Sequence, residues 1–413
     1  MTPLACSCDA AAELADRLVQ HLATPVAPPA DEMWMAQSLA KGAAGIALMH
    51  VERAHIGAGT WEDAHAHIGR AFAATISAAD STGLFLGAPA LAFVLHVAAH
   101  PGDRYARALK TLDTHVHRLA HRRVDAAMAR IGRGELPAFG EYDIFYGLTG
   151  IGAHLLRRDP SGSALERILT YLVALSRPLR TDDDELPGWW VAHDPHGSIP
   201  TTHHLGGHAN LGAAHGIPGP LLLLSQAARP GSIVEGHHEA IDRICTWLDI
   251  WQQQGDAGPW WPEYITRPEL HAGTSRQPGP ARPSWCYGTP GIARAGQLAA
   301  IALNDASRQR FFENALHDCL TDDAQTAKLT GPGLCHGWAG AYQTAWRAAR
   351  DATTPQLATV LPHLADELVQ HTITGPGTEP GLLDGNAGTI LALHTAALDA
   401  APISGWDACL LIN

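Results

Sequence analysis

The stretches AAHGIPG (213–219), SWCYGTPG (284–291) and LCHGWAG (334–340) share one frame, and its reading decides the fold. Each contains a Gly-x-x-Gly element. When the first glycine is numbered zero, His215 and His336 both stand at minus one, and Cys286 and Cys335 both stand at minus two. The same ruler finds KGAAG at Gly42, LGAPA at Gly87 with Ala90 in place of the second glycine, YGLTG at Gly147 and DGNAG at Gly385. The first glycines of these seven copies lie 45, 60, 69, 72, 49 and 48 residues apart. Self-similarity on that scale is the mark of units that bury their faces only against one another.

Each element leads into a stretch rich in small apolar residues, at 43–54, 88–100, 149–158, 217–228, 290–303, 338–350 and 387–399. Stretches apolar nearly all round are expected to be buried helices. Between them lie segments near 9–24, 61–80, 103–131, 163–177, 233–253, 307–321 and 356–373 with a one-sided stripe, such as Ile241, Ile244, Leu248 and Trp251. That spacing is one face of a helix. Alternation of the two kinds predicts an all-α protein, an α/α toroid of seven inner and seven outer helices in one domain over 1–413. Inner helices that all run the same way bring the seven glycine elements to one axial mouth, together with unpaired N–H groups and positive dipole ends that favour anions.

Composition suits a large helical core. The chain has 413 residues, 46% hydrophobic and 17% charged. No apolar run reaches the roughly 18–20 residues that span a bilayer, so no membrane insertion is expected. The first residues lack the basic and apolar regions of a secretory signal, and a cytoplasmic location is expected. A formal charge of −13 argues against nucleic acid as a partner. The seven cysteines, unevenly spaced, read as reduced thiols. Cys6, Cys8, Cys245, Cys319 and Cys409 are read as structural or incidental.

Two thiolates and one imidazole brought to one mouth suit zinc, and three protein ligands leave a fourth position open. Cys286, Cys335 and His336 are that set. Two thiolates neutralise the charge of Zn²⁺, which favours holding a substrate thiolate over generating hydroxide. His215, in the slot of His336 two repeats earlier, carries an imidazole, the side chain suited to proton transfer. His203, His204 and His208, loosely spaced and without a cysteine, are read as non-ligands. TDDDELPGWW (181–190) and the Pro/Gly-rich stretch 255–283 are expected to be surface connections that shape a peptide groove. The acidic run 182–185 suits a solvated loop, with contact to a basic leader peptide as the alternative.

NLGAAHGIPGPLLLLS (210–225), ARPSWCYGTPGIARA (281–295), GLCHGWAG (333–340) and SGWDACLLI (404–412) closely resemble the lanthionine synthetase C-like family, the lanthipeptide cyclases. SLAKGAAGIALM (38–49), EYDIFYGLTGIG (141–152) and LPGWWVA (186–192) extend the resemblance over most of the chain. It implies an α/α toroid, one zinc ion on Cys286, Cys335 and His336, and intramolecular Michael addition of peptide cysteine thiols to dehydroalanine or dehydrobutyrine, forming (methyl)lanthionine. His215 falls on the family's catalytic histidine. Asp143 falls on an active-site aspartate, expected to orient His215 or stabilise its protonated form, with a helix N-cap as the other reading. The resemblance also places Arg282 and Trp285 at the site, the first to stabilise an enolate oxygen or hold a carboxylate, the second to wall off the zinc mouth, with a surface salt bridge and a core aromatic as the plainer readings of the two. Tyr287, in the slot of the two key histidines, suits a donor to the enolate or simple packing.

A start about 40 residues before the first glycine element leads to the expectation of a free-standing cyclase. By resemblance its partners are a dehydrated precursor peptide, a separate dehydratase and an exporter. The competing readings are glutathione addition or prenyl transfer on a related zinc-thiolate toroid, and a non-catalytic peptide-binding relative. A glycosidase would need paired carboxylates, and only Asp384 stands as a weak partner for Asp143.

Overall fold

The computed structural model describes residues 3–24, 30–99, 102–180, 184–195, 206–374 and 379–413. Every glycine element is followed by a helix. These run Ala43–His55, Ala88–Ala99, Leu148–Arg158, Pro218–Ala228, Thr289–Ala302, Trp338–Asp351 and Asn386–Leu398. Each packs against the next, and Asn386–Leu398 packs against Ala43–His55, so the circuit of contacts closes. Their residues are buried over most of their length, as all-round apolar sequence requires. The striped segments form Pro3–Val19, Trp61–Ala71, Ala106–Gly132, Ser163–Leu175, His237–Trp251, Ala306–Thr321 and Leu361–Thr374, each against the buried helices. The helix expected over 61–80 stops at Ala71, where Phe72 closes the last turn and the β-branched Thr75 and Ile76 follow.

The loops ahead of the glycines are stitched into a ring by backbone hydrogen bonds whose donors stand at minus two or minus three. Leu39 N–H donates to Phe85 O (3.0 Å), Phe85 to Phe145 O (3.4 Å), Ile144 to Ala214 O (3.2 Å) and Ala214 to Cys286 O (3.3 Å). Cys286 N–H then donates to Cys335 O (3.2 Å), Cys335 to Leu383 O (2.8 Å), and Leu382 to Ala40 O (2.8 Å), back at the first loop. Every acceptor stands at minus two. Residues 45 to 72 positions apart in sequence are thereby made neighbours through satisfied backbone groups.

The glycines are required by close approach. A Cβ on Gly340 would overlap the carbonyl oxygen of Leu334, and one on Gly291 that of Trp285. In both cases the loop folds back so that the carbonyl six residues earlier lies on the first turn of the helix. Gly288 also has φ +100°, a conformation that L side chains rarely adopt.

The carboxyl-terminal segment lies among the buried helices. Glu52 accepts from the N–H groups of Ile403 (3.0 Å) and Ser404 (2.9 Å), while Gln226 donates to Leu411 O (2.7 Å) and Arg294 to Ile412 O (2.9 Å). Asp407, fully buried, pairs with Arg347 at 2.6 Å and accepts from Gln343 at 2.8 Å.

The expected surface connections contain short antiparallel pairs: Leu179–Arg180 with Glu185–Leu186, Gln253–Gly255 with Gly258–Trp260, and His208–Asn210 with Tyr264–Thr266. Residues 181–183 lie outside the described residues. Asp184, only 13% exposed, is ion-paired with Arg267 (3.0 Å) and His271 (2.6 Å), so this member of the acidic run braces the fold. Among the described residues no helix is long and apolar enough to cross a membrane.

Candidate metal centre and acid–base pair

Cys286 and Cys335 are consecutive members of the backbone ring, which brings their side chains to the same place. The ligand atoms of Cys286, Cys335 and His336 all lie within 4.8 Å of one another. Cys286 is buried, whereas Cys335 and His336 are partly open to the mouth. Ser284 Oγ stands 3.5 Å from Cys286 Sγ. His336 Nδ1 is paired with Asp384 Oδ1 at 3.2 Å. Hydrogen bonds from Cys335 and then from His336 hold the Cys286 thiol well below its usual range, against the cost of burial. The bond to Cys286 pushes Cys335 up and raises His336. The three ligand atoms lie close enough together to hold one cation, and two sulfurs with one imidazole nitrogen fit zinc.

Minus-one residues of neighbouring repeats come together in three places. The rings of Tyr146 and His215 are 6.4 Å apart, those of His215 and Tyr287 are 6.5 Å apart, and His336 meets Asp384 as described. His215 is 26% exposed and its Nδ1 lies 2.7 Å from Oδ2 of Asp143, which is fully buried. The other oxygen, Oδ1, accepts from the N–H groups of Tyr146 (2.7 Å) and Gly147 (2.7 Å). One carboxylate thus holds the imidazole and the turn that leads into the helix, whose N-cap is Gly147 and not Asp143. Because its partner is a carboxylate, Nδ1 carries the hydrogen and Nε2 is the nitrogen left to exchange protons. Phe145 packs edge-on against His215 at 5.0 Å, and Phe139 lies over it at 5.7 Å.

Arg282 is partly buried, its Nε without a partner among the described residues, and its charge acts on Cys335 and His336. Tyr287 accepts from Asn210 Nδ2 at 2.9 Å, and burial pushes its hydroxyl up to about 12. Trp285 is fully buried, donates from Nε1 to Leu410 O at 3.1 Å, and has its ring 5.9 Å from that of Phe145. Its register explains this: the minus-three residues, Leu39, Leu84, Ile144, Ala213, Leu334 and Leu382 in the other repeats, all point into the core.

His208 is buried with Nδ1 on the carbonyl of His193 (3.0 Å), while His203 and His204 lie outside the described residues. Cys245 and Cys319 are buried thiols pushed up to about 12, and burial raises Cys409 as well. Cys8 meets the carbonyl of Ala396, and the side chain of Cys6 lies outside the described residues. Asp384 and Ser284 escaped the sequence reading as members of the metal centre. Asp384 was detectable, since it occupies the same minus-one slot as His215 and His336.

The profile of the lanthionine synthetase C-like protein family matches residues 33–411. The chain belongs to that family. Among curated proteins it is similar to nisin biosynthesis protein NisC of Lactococcus lactis subsp. lactis, 22% identical over 320 residues that cover 75% of this chain and 72% of the relative. Among solved structures it superimposes on nisin cyclase with a TM-score of 0.79 at 18% identity, covering 97% of this chain and 96% of the other. This member of the family therefore has the fold of nisin cyclase.

Proposed function

We propose that this chain is a single-domain α/α toroid, seven inner helices within seven outer ones, that acts as a zinc-dependent lanthipeptide cyclase. Family membership and the convergence of two cysteines and a histidine with a carboxylate-held histidine at one mouth support this reading. The observation that carries it is the cysteine–cysteine–histidine cluster, because it assembles thiolate ligands with one face open. Cys286, Cys335 and His336 would hold the ion, with Asp384 on Nδ1 leaving Nε2 of His336 for coordination. Zinc bound there would lower the pKa of an arriving peptide thiol and position its sulfur.

The remaining chemistry belongs to the protein. As sulfur bonds to the β-carbon of a dehydroalanine or dehydrobutyrine, the alkene electron pair moves towards the carbonyl and negative charge develops on its oxygen. Arg282 and Tyr287 offer donors to that oxygen. His215 delivers a proton from Nε2 to the α-carbon, and Asp143 stabilises the imidazolium before it does so. The thiol proton and the carbon-bound proton balance, so no further reactant is consumed. Trp285 supports the loop of Cys286 from below.

By analogy with the family, the substrate is a dehydrated precursor peptide from a separate dehydratase, the product passes to an exporter, and the reaction takes place in the cytoplasm. The test is direct: zinc-loaded protein is incubated with a dehydrated precursor, and free thiols are counted by alkylation and mass spectrometry. Loss of thiols with no change in peptide mass supports cyclisation. Thiols that persist, or a mass gain from an added small thiol or prenyl group, would displace it.

A further inference from the structure

Asn210 lies six residues before Gly216, on the strand His208–Asn210 that pairs with Tyr264–Thr266. It is 3% exposed. Its Oδ1 accepts from the backbone N–H of Gly212 at 2.8 Å, and its Nδ2 donates to the hydroxyl of Tyr287 at 2.9 Å. The backbone bond fixes which end of the amide is which: only an oxygen can accept from Gly212, so only the NH₂ faces Tyr287. The phenol oxygen therefore receives a hydrogen bond and must direct its own hydrogen elsewhere. Gly212 completes the arrangement, since a Cβ there would come within 2.6 Å of the Tyr287 ring. Tyr287 stands beside His215 in the minus-one series, the two rings 6.5 Å apart.

We propose that Asn210 is a positioning residue that makes Tyr287 an obligate hydrogen-bond donor to the substrate carbonyl oxygen on which charge develops. This rests on the cyclase reading and adds the residue that sets the polarity of the donor. A tyrosine hydroxyl rotates freely and is otherwise as ready to accept as to donate. The buried amide removes that choice before substrate arrives, which is the preorganisation that makes such donors effective.

The discriminating substitution is Asn210→Asp. A carboxylate keeps the acceptor for Gly212 but offers Tyr287 a second acceptor, turning the hydroxyl inward. Ring closure is measured on the zinc-loaded full chain with a dehydrated peptide, as kcat and KM separately, beside zinc content and thermal unfolding. Asn210→Asp and Tyr287→Phe are each expected to lower kcat by about 10²-fold, with zinc content and KM unchanged. The double variant is expected to be no slower than either single one, a coupling that general loosening would not produce. If Asn210→Asp does not fold, Asn210→Ala in the wild-type and Tyr287→Phe backgrounds gives the same readout, and it should slow only the former. Wild-type kcat in the Asn210 variant, or losses that multiply in the double variant, would overturn the inference while leaving the cyclase reading intact. Inactivity of the wild-type chain would overturn both.

Discussion

Replacing Asp143 with asparagine should stop proton transfer without disturbing the metal centre. Oδ1 is committed to two backbone N–H groups, of Tyr146 and Gly147, each at 2.7 Å, so the asparagine oxygen is held there and its NH₂ faces His215. Nδ1 must then accept, which places the only ring hydrogen on Nε2. The imidazole is locked neutral, because protonation would set N–H against N–H. The charge lost is a fully buried carboxylate 2.7 Å from the ring nitrogen. Taking charge centres about 4 Å apart and an effective dielectric of about 20, the interaction with an imidazolium is worth about 4 kcal/mol. At about 1.4 kcal/mol per tenfold this is about 10³ in rate, and sharing of the carboxylate with two amides brings the expected loss to about 10²–10³-fold. Single-turnover ring closure, followed by alkylation and mass spectrometry, gives the rate, while metal analysis shows that zinc is retained. A variant within about threefold of wild type, with the pair intact, would refute the assignment of His215 and Asp143 as the proton-transfer unit; a factor of three is under 1 kcal/mol.

His215→Ala should likewise keep zinc and lose turnover, whereas Cys286→Ala should lose both; recovery of His215→Ala free of metal would contradict that division. Gly340→Ala forces a Cβ into the Leu334 carbonyl and should cost about 1–3 kcal/mol in urea unfolding of the zinc-loaded protein, an unchanged midpoint being the contrary result. His154 is fully buried, neither ring nitrogen has a hydrogen-bond partner among the described residues, and burial lowers it to about 3. Since the unfolded chain binds that proton near pH 6.5 and the folded chain only near 3, stability is complete above about 6.5 and falls as pH drops from there towards 3. At pH 5.5 the loss from this group is about 1 kcal/mol, and His154→Leu should remove that part of the acid sensitivity measured by urea unfolding at pH 7.5 and 5.5.

The register of the glycine elements carried the helical repeat and the cysteine–cysteine–histidine cluster, because close approach of a carbonyl favours glycine at most of those positions, Ala90 being the exception. Cys286, Cys335 and His336 were legible for the same reason: equivalent slots in a closed circuit become spatial neighbours. The register also contained signals that family resemblance obscured. Trp285 occupies the core-facing slot, as the core-aromatic reading has it, and its Nε1 donates to Leu410 O. Asp384 occupies a mouth-facing slot and pairs with His336. The inward path of residues 403–413 and the pairing of His208–Asn210 with Tyr264–Thr266 had no periodic signature, since both depend on backbone groups meeting across long sequence separations. Asn210 was quoted within a motif, but its contact with Tyr287 arises from that strand pairing and not from spacing.

X-ray absorption at the zinc edge of the purified, metal-loaded protein is the most direct measurement of the claim that three side chains hold one ion with a position open to sulfur. The expected result is one zinc per chain with two sulfur neighbours and one imidazole nitrogen, rising to three sulfurs when a thiol-bearing dehydrated peptide is added. A first shell without sulfur, or one filled by four protein atoms and unchanged by the peptide, would contradict it.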